Sequence, residues 1–254
     1  MARTLRALIT NDDGIGSEGL VVLALAAVEA GLEVTVAAPH TEASGTGAGL
    51  TVVPEDGRSV VEKTTLDGLD GIPCFTVTAH PAFITLAAIG GTFGPAPDVV
   101  LSGVNRGANT GRAVLHSGTV GAALTAGANG LLGLAASLVV RDGPPRWDTA
   151  AALLPAALPP LLGAEPGTVL NVNVPDVPPA ELGALTDAGL SSAGVVQART
   201  SGEDGPATDV ATTVVPGRAE PGTDEDLLDR GLPTVTSLRP VSAAGGRFGQ
   251  RPPD

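Results

Sequence analysis

Side chains that bear oxygen follow several strand-like segments of this sequence at the point where each segment ends. Asp12 and Asp13 come directly after the first apolar segment, in the stretch "TNDDG". Ser44 lies in a glycine-rich stretch after the second segment, and Asn105 follows a later one. Carboxylate, hydroxyl and amide oxygens suit a hard divalent cation such as Mg²⁺ or Mn²⁺ better than structural zinc. Such a cation would also neutralise the two adjacent carboxylates.

A possible anion-binding site lies further along the chain. Ser117, Gly118 and Thr119 open an alanine-rich helical segment, and the free N–H groups at a helix start can hold an anion. Asn109 adds an amide donor close to Asn105. A side chain at Gly118 would block the approach of an anion to the backbone. A hard cation beside an anion site favours phosphate-ester chemistry, in which the cation polarises a phosphoryl oxygen and lowers the pKa of a bound water.

Each of these patterns also has a purely structural interpretation. An Asp pair before a glycine is common in turns, and a serine before a helix is commonly an N-cap. His116 can act on a leaving group or pack at the approach to the helix. Arg106 and Arg112 can attract a phosphate or remain solvated charges. The combined positions, rather than any single pattern, favour the functional interpretation.

The elements that must position these residues alternate along the first 175 residues. Apolar runs predict buried parallel strands at residues 4–10, 32–38, 74–79, 98–103, 132–140 and 168–175. Helices are predicted near residues 17–30, 81–90, 118–129 and 148–162. This alternation predicts an α/β fold, a doubly wound sheet flanked by helices, whose ligands gather at the carboxyl ends of the strands.

The character of the sequence changes beyond residue 180. Residues 182–222 are polar and rich in turn residues, which predicts a long hairpin or arm. A short helix capped by Thr223, with Asp226 completing a pattern close to a capping box, and then a strand are predicted next. Residues 243–254 are expected to form a poorly ordered tail.

Composition excludes several classes of protein. The net charge is −13 at pH 7 and aromatic residues make up 2% of the chain, which argues against a nucleic-acid-binding surface. The single cysteine, Cys74, excludes an internal disulfide and is typical of a reducing compartment. Neither a secretion signal nor an apolar run of about 20 residues is found. We therefore expect a cytoplasmic, soluble protein that binds neither nucleic acid nor membrane.

Several long motifs resemble the SurE family of metal-dependent nucleotidases, and they occur in the family's order. They are "ITNDDGIGSEGL", "VAAPHTEASGTGAGLT", "PDVVLSGVNRGANTGRAVLHSGTVGAALTA", "LNVNVP" and "TDEDLLDRGLPTVTSLRP". The resemblance implies one domain over residues 1–254, with a core over about 1–180 and a C-terminal arm and swapped segment over about 181–245. The implied core is Rossmann-like, with a mostly parallel sheet, helices on both faces and a C-terminal β-hairpin arm. The arm implies a homodimer or homotetramer.

The resemblance also implies an activity and a set of site residues. The activity is hydrolysis of nucleoside 5′-monophosphates to nucleoside and phosphate, with one divalent cation, Mg²⁺ or Mn²⁺, per subunit. The implied metal ligands are Asp12, Asp13, Ser44 and Asn105. The implied phosphate contacts are Asn109, Ser117, Gly118 and Thr119. Asp12 and Asp13 are the implied catalytic residues, and Asp13 can serve as a general base as well as a ligand.

One stretch departs from the family pattern, and other functions remain open. The family's "GTPAD" is replaced by "AHPAF", so His80 stands for the threonine and Phe83 for the acid. This change puts substrate preference in question. One alternative is a phosphatase that acts on a sugar phosphate, a polyphosphate or another phosphomonoester, and another is an inactive nucleotide-binding protein. A Rossmann dehydrogenase is excluded because "NDDGIG" replaces G-x-G-x-x-G after the first strand.

Overall fold

A nine-stranded sheet organises the protein. The computed structural model describes residues 3–50, 61–193, 195–201, 209–215 and 219–242, and for 195–201 and 209–215 it describes the backbone alone. The strands are β1 (Arg6–Thr10), β2 (Glu33–Pro39), β3 (Val61–Thr64), β4 (Cys74–Val77), β5 (Val99–Arg106), β6 (Leu132–Leu138), β7 (Val169–Val174), β8 (Thr186–Asp187), β9 (Val195–Ser201), β10 (Asp209–Val215) and β11 (Thr234–Leu238). The α-helices are α1 (Glu18–Glu29), α2 (Pro81–Ile89), α3 (Gly118–Ala128), α4 (Trp147–Leu162) and α5 (Asp224–Asp229).

The order of strands in the large sheet is β3-β4-β2-β1-β5-β6-β7-β11-β8. The six strands from β4 to β7 in this order are all parallel to their neighbours, whereas β3 and β11 run antiparallel to β4 and β7. The predicted doubly wound, mostly parallel α/β sheet is therefore confirmed. Among the described residues, no helix is both long enough and apolar enough to cross a membrane.

Helices cover both faces of the sheet, as predicted. The parallel strands are apolar on both sides, so successive residues of β1 enter different cores. Ile9 packs in the cluster that contains Leu20 of α1 and Leu154 of α4. Leu8 packs in a second cluster with Ile84 of α2. The α2 and α3 helices pack against each other on this second face. The two cores hold the carboxyl ends of β1, β2 and β5 at one edge of the sheet.

Strand β5 extends further than the sequence predicts. It continues to Arg106, with an irregular register between Ser102 and Asn105. Gly103 allows this path, because its φ is +132° and an added Cβ would lie 2.2 Å from the carbonyl oxygen of Ala136. Asn105 therefore lies on the last residues of the strand rather than in the loop after it.

Beyond residue 180, the boundaries of the predicted arm need correction. Strands β9 and β10 form an antiparallel hairpin, so the predicted hairpin is confirmed there. The first part of the predicted arm instead packs on the sheet: β8 pairs with β11, and Ser191 and Ala193 are buried. These residues are polar or small, so their sequence does not distinguish them from a loop. The predicted tail, residues 243–254, lies outside the described residues.

The predicted helix and strand near the C-terminus are both present as α5 and β11. The capping differs in detail from the expected box. The hydroxyl of Thr223 donates to the carbonyl oxygen of Glu220, and the Asp226 carboxylate accepts the N–H of Gly222 at 2.9 Å. The carboxylate still satisfies a backbone donor at the start of the helix, one residue earlier than the usual pattern.

Candidate active site

A cavity of about 1140 Å³ opens at the carboxyl ends of β1, β2 and β5. Of the residues predicted as metal ligands or phosphate contacts, those that line it are Asp12, Asp13, Ser44, Asn105, Asn109 and Ser117. The other two, Gly118 and Thr119, are buried against Asp12. The structure thus brings residues from three strand ends and one helix start into a single site.

Asp12 is the most enclosed acid of the site, with 5% of its surface exposed. Its Oδ1 accepts a short hydrogen bond from the Thr119 hydroxyl. Burial raises the pKa of Asp12, although the Thr119 hydroxyl and the N–H groups of Thr119 and Gly118 act in the opposite direction. The start of α3 is therefore directed at this carboxylate, which it holds in one orientation.

Asp13 is half-buried beside it. Its Oδ2 accepts the backbone N–H of Arg106 at 2.9 Å, which ties the end of β1 to the end of β5. Burial raises the pKa of Asp13, the Arg106 N–H lowers it, and the negative charges of Asp12 and Glu42 raise it further. The charge of Arg106 acts against this rise in the pKa of Asp13 but is outweighed, so the repulsion between the two neighbouring carboxylates is offset only in part.

A divalent cation fits this arrangement. No ion pair among the described residues involves Asp12 or Asp13, so salt bridges do not relieve their repulsion. Ser44 donates its hydroxyl hydrogen to Glu42 at 2.7 Å, and Asn105 donates an amide hydrogen to the carbonyl oxygen of Gly107 at 2.7 Å. These bonds leave the hydroxyl oxygen and the carboxamide oxygen available as acceptors. The donor set is all oxygen, which suits a hard cation.

The loop that carries Ser44 is fixed to both neighbouring elements. The N–H of Ala43 donates to the carbonyl oxygen of Asp12 at 2.7 Å, and the N–H of Gly47 donates to that of His116 at 3.0 Å. Gly47 has a φ of +53°. A Cβ added at Gly121 would lie only 2.3 Å from the carbonyl oxygen of Gly47, so the two backbones are in close contact. Close backbone packing against α3 therefore positions the loop beside Asp12.

Asn109 is held by a buried amide network that the sequence analysis missed. Its N–H donates to Oδ1 of Asn173 at 2.8 Å, and its carbonyl oxygen accepts the side-chain amides of Asn171 and Asn173. Its own side-chain amide donates to the hydroxyl of Ser137 at 2.8 Å. The available signal was the "LNVNVP" motif, in which two asparagines at alternate positions of an apolar strand share one face.

Ser117 lies at the boundary between the cavity and α3. Its hydroxyl oxygen accepts the N–H of Val120 at 3.1 Å, which is the N-cap contact that the structural interpretation anticipated. Ser117 also lines the cavity, so capping and substrate contact are compatible there. The predicted phosphate contacts at Ser117, Gly118 and Thr119 stay predictions.

The other residues singled out in the sequence differ in whether they line the cavity. His116 and Arg106 are exposed and line the cavity, whereas Arg112 does not. His80 immediately precedes α2 and Phe83 packs on the core of that face, so the departure from "GTPAD" lies away from the cavity lining. Arg141 and Trp147 also line the cavity and had no signal in the sequence analysis.

The sequence of the chain matches a known protein family. The family model described as "Survival protein SurE" matches residues 7–194, which contain every predicted site residue.

The chain belongs to the SurE family.

The curated relatives that match this chain include SurE proteins from several organisms. The chain is 40% identical to the "5'-nucleotidase SurE" of Synechococcus sp. (strain RCC307) over 72% of this chain and 66% of that protein, slightly less than two thirds of its length. It is 34% identical to the protein of the same name from Desulfovibrio desulfuricans, over 92% of each chain. The crystal structure of the SurE protein from Aquifex aeolicus superposes with a TM-score of 0.73 at 26% identity, covering 94% of each chain.

Proposed function

We propose that this SurE protein is a divalent-metal-dependent phosphomonoesterase that hydrolyses nucleoside 5′-monophosphates to nucleoside and phosphate. The observation that carries the proposal is the pair of enclosed carboxylates, Asp12 and Asp13, which form no ion pair within the described residues and lie in a cavity rich in oxygen donors. The names of the curated relatives agree with this activity. One Mg²⁺ or Mn²⁺ ion per subunit would be held by Asp12, Asp13, Ser44 and Asn105.

The cation, Asp12 and Asp13 would have different roles in the reaction. When bound, the cation supplies Lewis-acid polarisation of a phosphoryl oxygen. Asp12 has one orientation because Thr119 holds it. Asp13 is the more exposed acid and lines the cavity, so its carboxylate can accept a proton from the attacking water. The water oxygen forms the new bond to phosphorus, the bond from phosphorus to the nucleoside oxygen breaks, and the proton taken from the water passes to that nucleoside oxygen.

Contacts to the phosphate are assigned to the start of α3 and the loop before it. The side-chain nitrogen of Asn109 carries two hydrogens, and the bond to Ser137 uses one of them. The other is available to a phosphoryl oxygen, and Ser117 lines the same cavity. Gly118 and Thr119 contribute mainly through Asp12, which they contact directly.

The shape of the cavity supports a nucleotide over a small phosphate ester. Its volume of about 1140 Å³ exceeds what a phosphate group alone needs and is slightly above the usual range of small-molecule sites, about 300–1,000 Å³. Val140, Pro145 and Trp147 line it together with the polar residues, so it offers apolar surface to a nucleoside. Polyphosphate would gain little from such a surface.

A broad phosphomonoester panel tests this proposal. Phosphate release is measured from nucleoside 5′-monophosphates, sugar phosphates and polyphosphate, with Mg²⁺, with Mn²⁺ and with chelator. We expect the highest kcat/KM on nucleoside 5′-monophosphates and no release in chelator. A clear preference for a sugar phosphate or polyphosphate would favour the alternative phosphatase, and no release from any substrate would favour the inactive nucleotide-binding protein.

We also propose a homodimer or homotetramer assembled through the C-terminal arm, in the cytoplasm. Strands β9 and β10 form a two-stranded sheet apart from the large one, and a lone two-stranded hairpin is marginally stable in water. Packing against a partner subunit would stabilise it. Light scattering on the full chain measures this directly, and a clean monomer would count against the assembly.

A further inference from the structure

A buried acid outside the catalytic cavity contacts the loop that enters it. Asp224, the first residue of α5, is fully buried at 0% exposure. It follows the segment matched by the family model, residues 7–194. A buried carboxylate needs compensating hydrogen bonds, because desolvating a charge without them is costly. Its partners therefore reveal what it holds.

The two oxygens of Asp224 have different partners. Oδ1 accepts the backbone N–H groups of Ser191 and Glu225, at 2.9 and 3.0 Å. Oδ2 accepts the N–H of Gly111 at 2.9 Å, across 113 residues of chain. Oδ1 thus links Ser191 to the start of α5, and Oδ2 links the start of α5 to Gly111, which lies close in the sequence to residues that line the cavity.

Gly111 belongs to a segment that we name the pocket loop, residues 109–117, which includes the 3₁₀ helix Gly111–His116. Asn109, Ala113, His116 and Ser117 of this loop line the cavity. The backbone of the loop is anchored on one side by the amide network under Asn109. Asp224 anchors it on the other side.

The fit around Gly111 is close. Its φ is +52°, and an added Cβ would lie 2.6 Å from the carbonyl oxygen of Ala193 and 3.1 Å from Oε1 of Glu225. The N–H of the next residue, Arg112, donates to the same Ala193 carbonyl at 3.1 Å. The backbone of the pocket loop at Gly111 therefore packs directly against the backbone at Ala193, with no side chain between them.

We propose that Asp224 is a positioning residue for the reaction, which sets the pocket loop so that Asn109 and Ser117 meet the phosphate group. This inference rests on the proposed phosphatase function. Asp224 does not line the cavity, and it acts through the N–H of Gly111. A misplacement of about 1 Å in such a loop can cost on the order of 10²-fold in rate.

Asp224→Asn is the decisive substitution, because the asparagine has the same shape but only one acceptor oxygen. Keeping that oxygen toward Ser191 and Glu225 preserves two hydrogen bonds and turns the side-chain NH₂ toward Gly111, which is itself a donor. The contact with the pocket loop is then the one lost. We expect KM for a nucleoside 5′-monophosphate and the inhibition constant of inorganic phosphate to rise together by about 10-fold, the effect of weakening one hydrogen bond to a charged group.

The matched control is Asp226→Asn on the same helix. Asp226 also accepts a backbone N–H, that of Gly222 at 2.9 Å, and it contacts Arg230, but neither partner belongs to the pocket loop. We expect this variant to lower Tm while KM and the phosphate inhibition constant stay within about 2-fold of wild type. The Mn²⁺ concentration for half-maximal activity should stay within about 2-fold in both variants, because Asp12, Asp13 and Ser44 lie on other elements.

A second variant keeps the test open if Asp224→Asn does not fold. Gly111→Ala leaves Asp224 intact and pushes the pocket loop away from Ala193. It should produce the same joint rise in KM and phosphate inhibition constant. A structural role alone would lower Tm and the active fraction and leave both constants unchanged, and that result would overturn the inference.

Binding of inorganic phosphate in the presence of Mn²⁺, measured by calorimetry, separates this inference from the proposed function. If wild type binds phosphate without turnover and Asp224→Asn weakens binding, positioning stands and the proposed function fails. If wild type turns over and neither variant changes KM or phosphate affinity, the proposed function stands and positioning fails. A wild-type protein that neither turns over nor binds phosphate overturns both.

Discussion

Substitution of Gly118 by alanine is the smallest change that should disturb the metal site. The added Cβ would lie 2.8 Å from Oδ2 and 2.9 Å from Cβ of Asp12, and 3.0 Å from the Thr46 hydroxyl, whereas ordinary contact begins at 3.4 Å. The shortfall at the carboxylate is therefore about 0.6 Å. Both sides belong to closely packed elements, α3 and the end of β1, so the carboxylate itself must move.

A shift of this size should weaken metal binding measurably. Changing a group that supports a metal ligand typically costs about 10- to 100-fold in metal affinity, so we expect Gly118→Ala to cost about 10-fold. The cost should appear as a higher Mn²⁺ concentration for half-maximal phosphate release, and as weaker Mn²⁺ binding in calorimetry without substrate. The sequence alone predicted a different effect of a side chain at Gly118, a blocked approach of an anion to the backbone.

Gly16→Ala is the matched control. Gly16 lies in the loop between β1 and α1, and an added Cβ there meets no atom within 4 Å. We expect wild-type Mn²⁺ affinity and turnover from it. If Gly118→Ala keeps normal Mn²⁺ affinity but loses phosphate inhibition, the start of α3 acts on the phosphate rather than on Asp12, and the reasoning is refuted.

Three further perturbations test other parts of the account. Asp13→Asn should lower kcat by at least about 10²-fold with the fold intact by circular dichroism, and wild-type turnover would place the metal elsewhere. Asn173→Ala removes two hydrogen bonds under the pocket loop and should raise KM by about 10-fold, whereas an unchanged KM would mean that the loop does not need them. Burial raises the pKa of Asp98, but the Arg6 N–H and the Arg3 guanidinium outweigh this effect and lower the pKa overall. Because the pKa of Asp98 is lower in the folded state, its carboxylate stabilises the fold above the unfolded pKa of about 3.9, and this stability is lost as pH falls through the folded pKa. The Tm of wild type should therefore exceed that of Asp98→Asn at neutral pH, and the difference should vanish in acid. An advantage that persists at all pH values would contradict this assignment.

The sequence predicted the central sheet well, because its strands are buried on both faces and read as apolar runs. Asp12 and Asp13 could be placed at the site because they directly follow one such run. Strand β3 was missed for the converse reason. Its residues are "VEKT", short, charged and mostly exposed at the sheet edge, so they show no apolar pattern.

Contacts across long stretches of chain could not be predicted. The sequence placed Thr119 at a helix start, but its bond to Asp12 depends on how α3 crosses the sheet, across 107 residues. The same applies to Asp224, which bonds Gly111 across 113 residues. Ser191 was assigned to an arm because its neighbourhood is polar, whereas in the structure it is buried and its N–H donates to the Asp224 carboxylate. Local patterns carry no information on such pairs.

Removal and return of the metal test whether the two enclosed carboxylates hold a catalytic divalent cation. Phosphate release from a nucleoside 5′-monophosphate is followed after the protein is stripped with chelator, and then as Mn²⁺ is added back. We predict no release from stripped wild type, recovery with added Mn²⁺, and little recovery in Asp12→Asn at the same concentration. Full turnover by the stripped protein, or full recovery in the variant, would contradict the account.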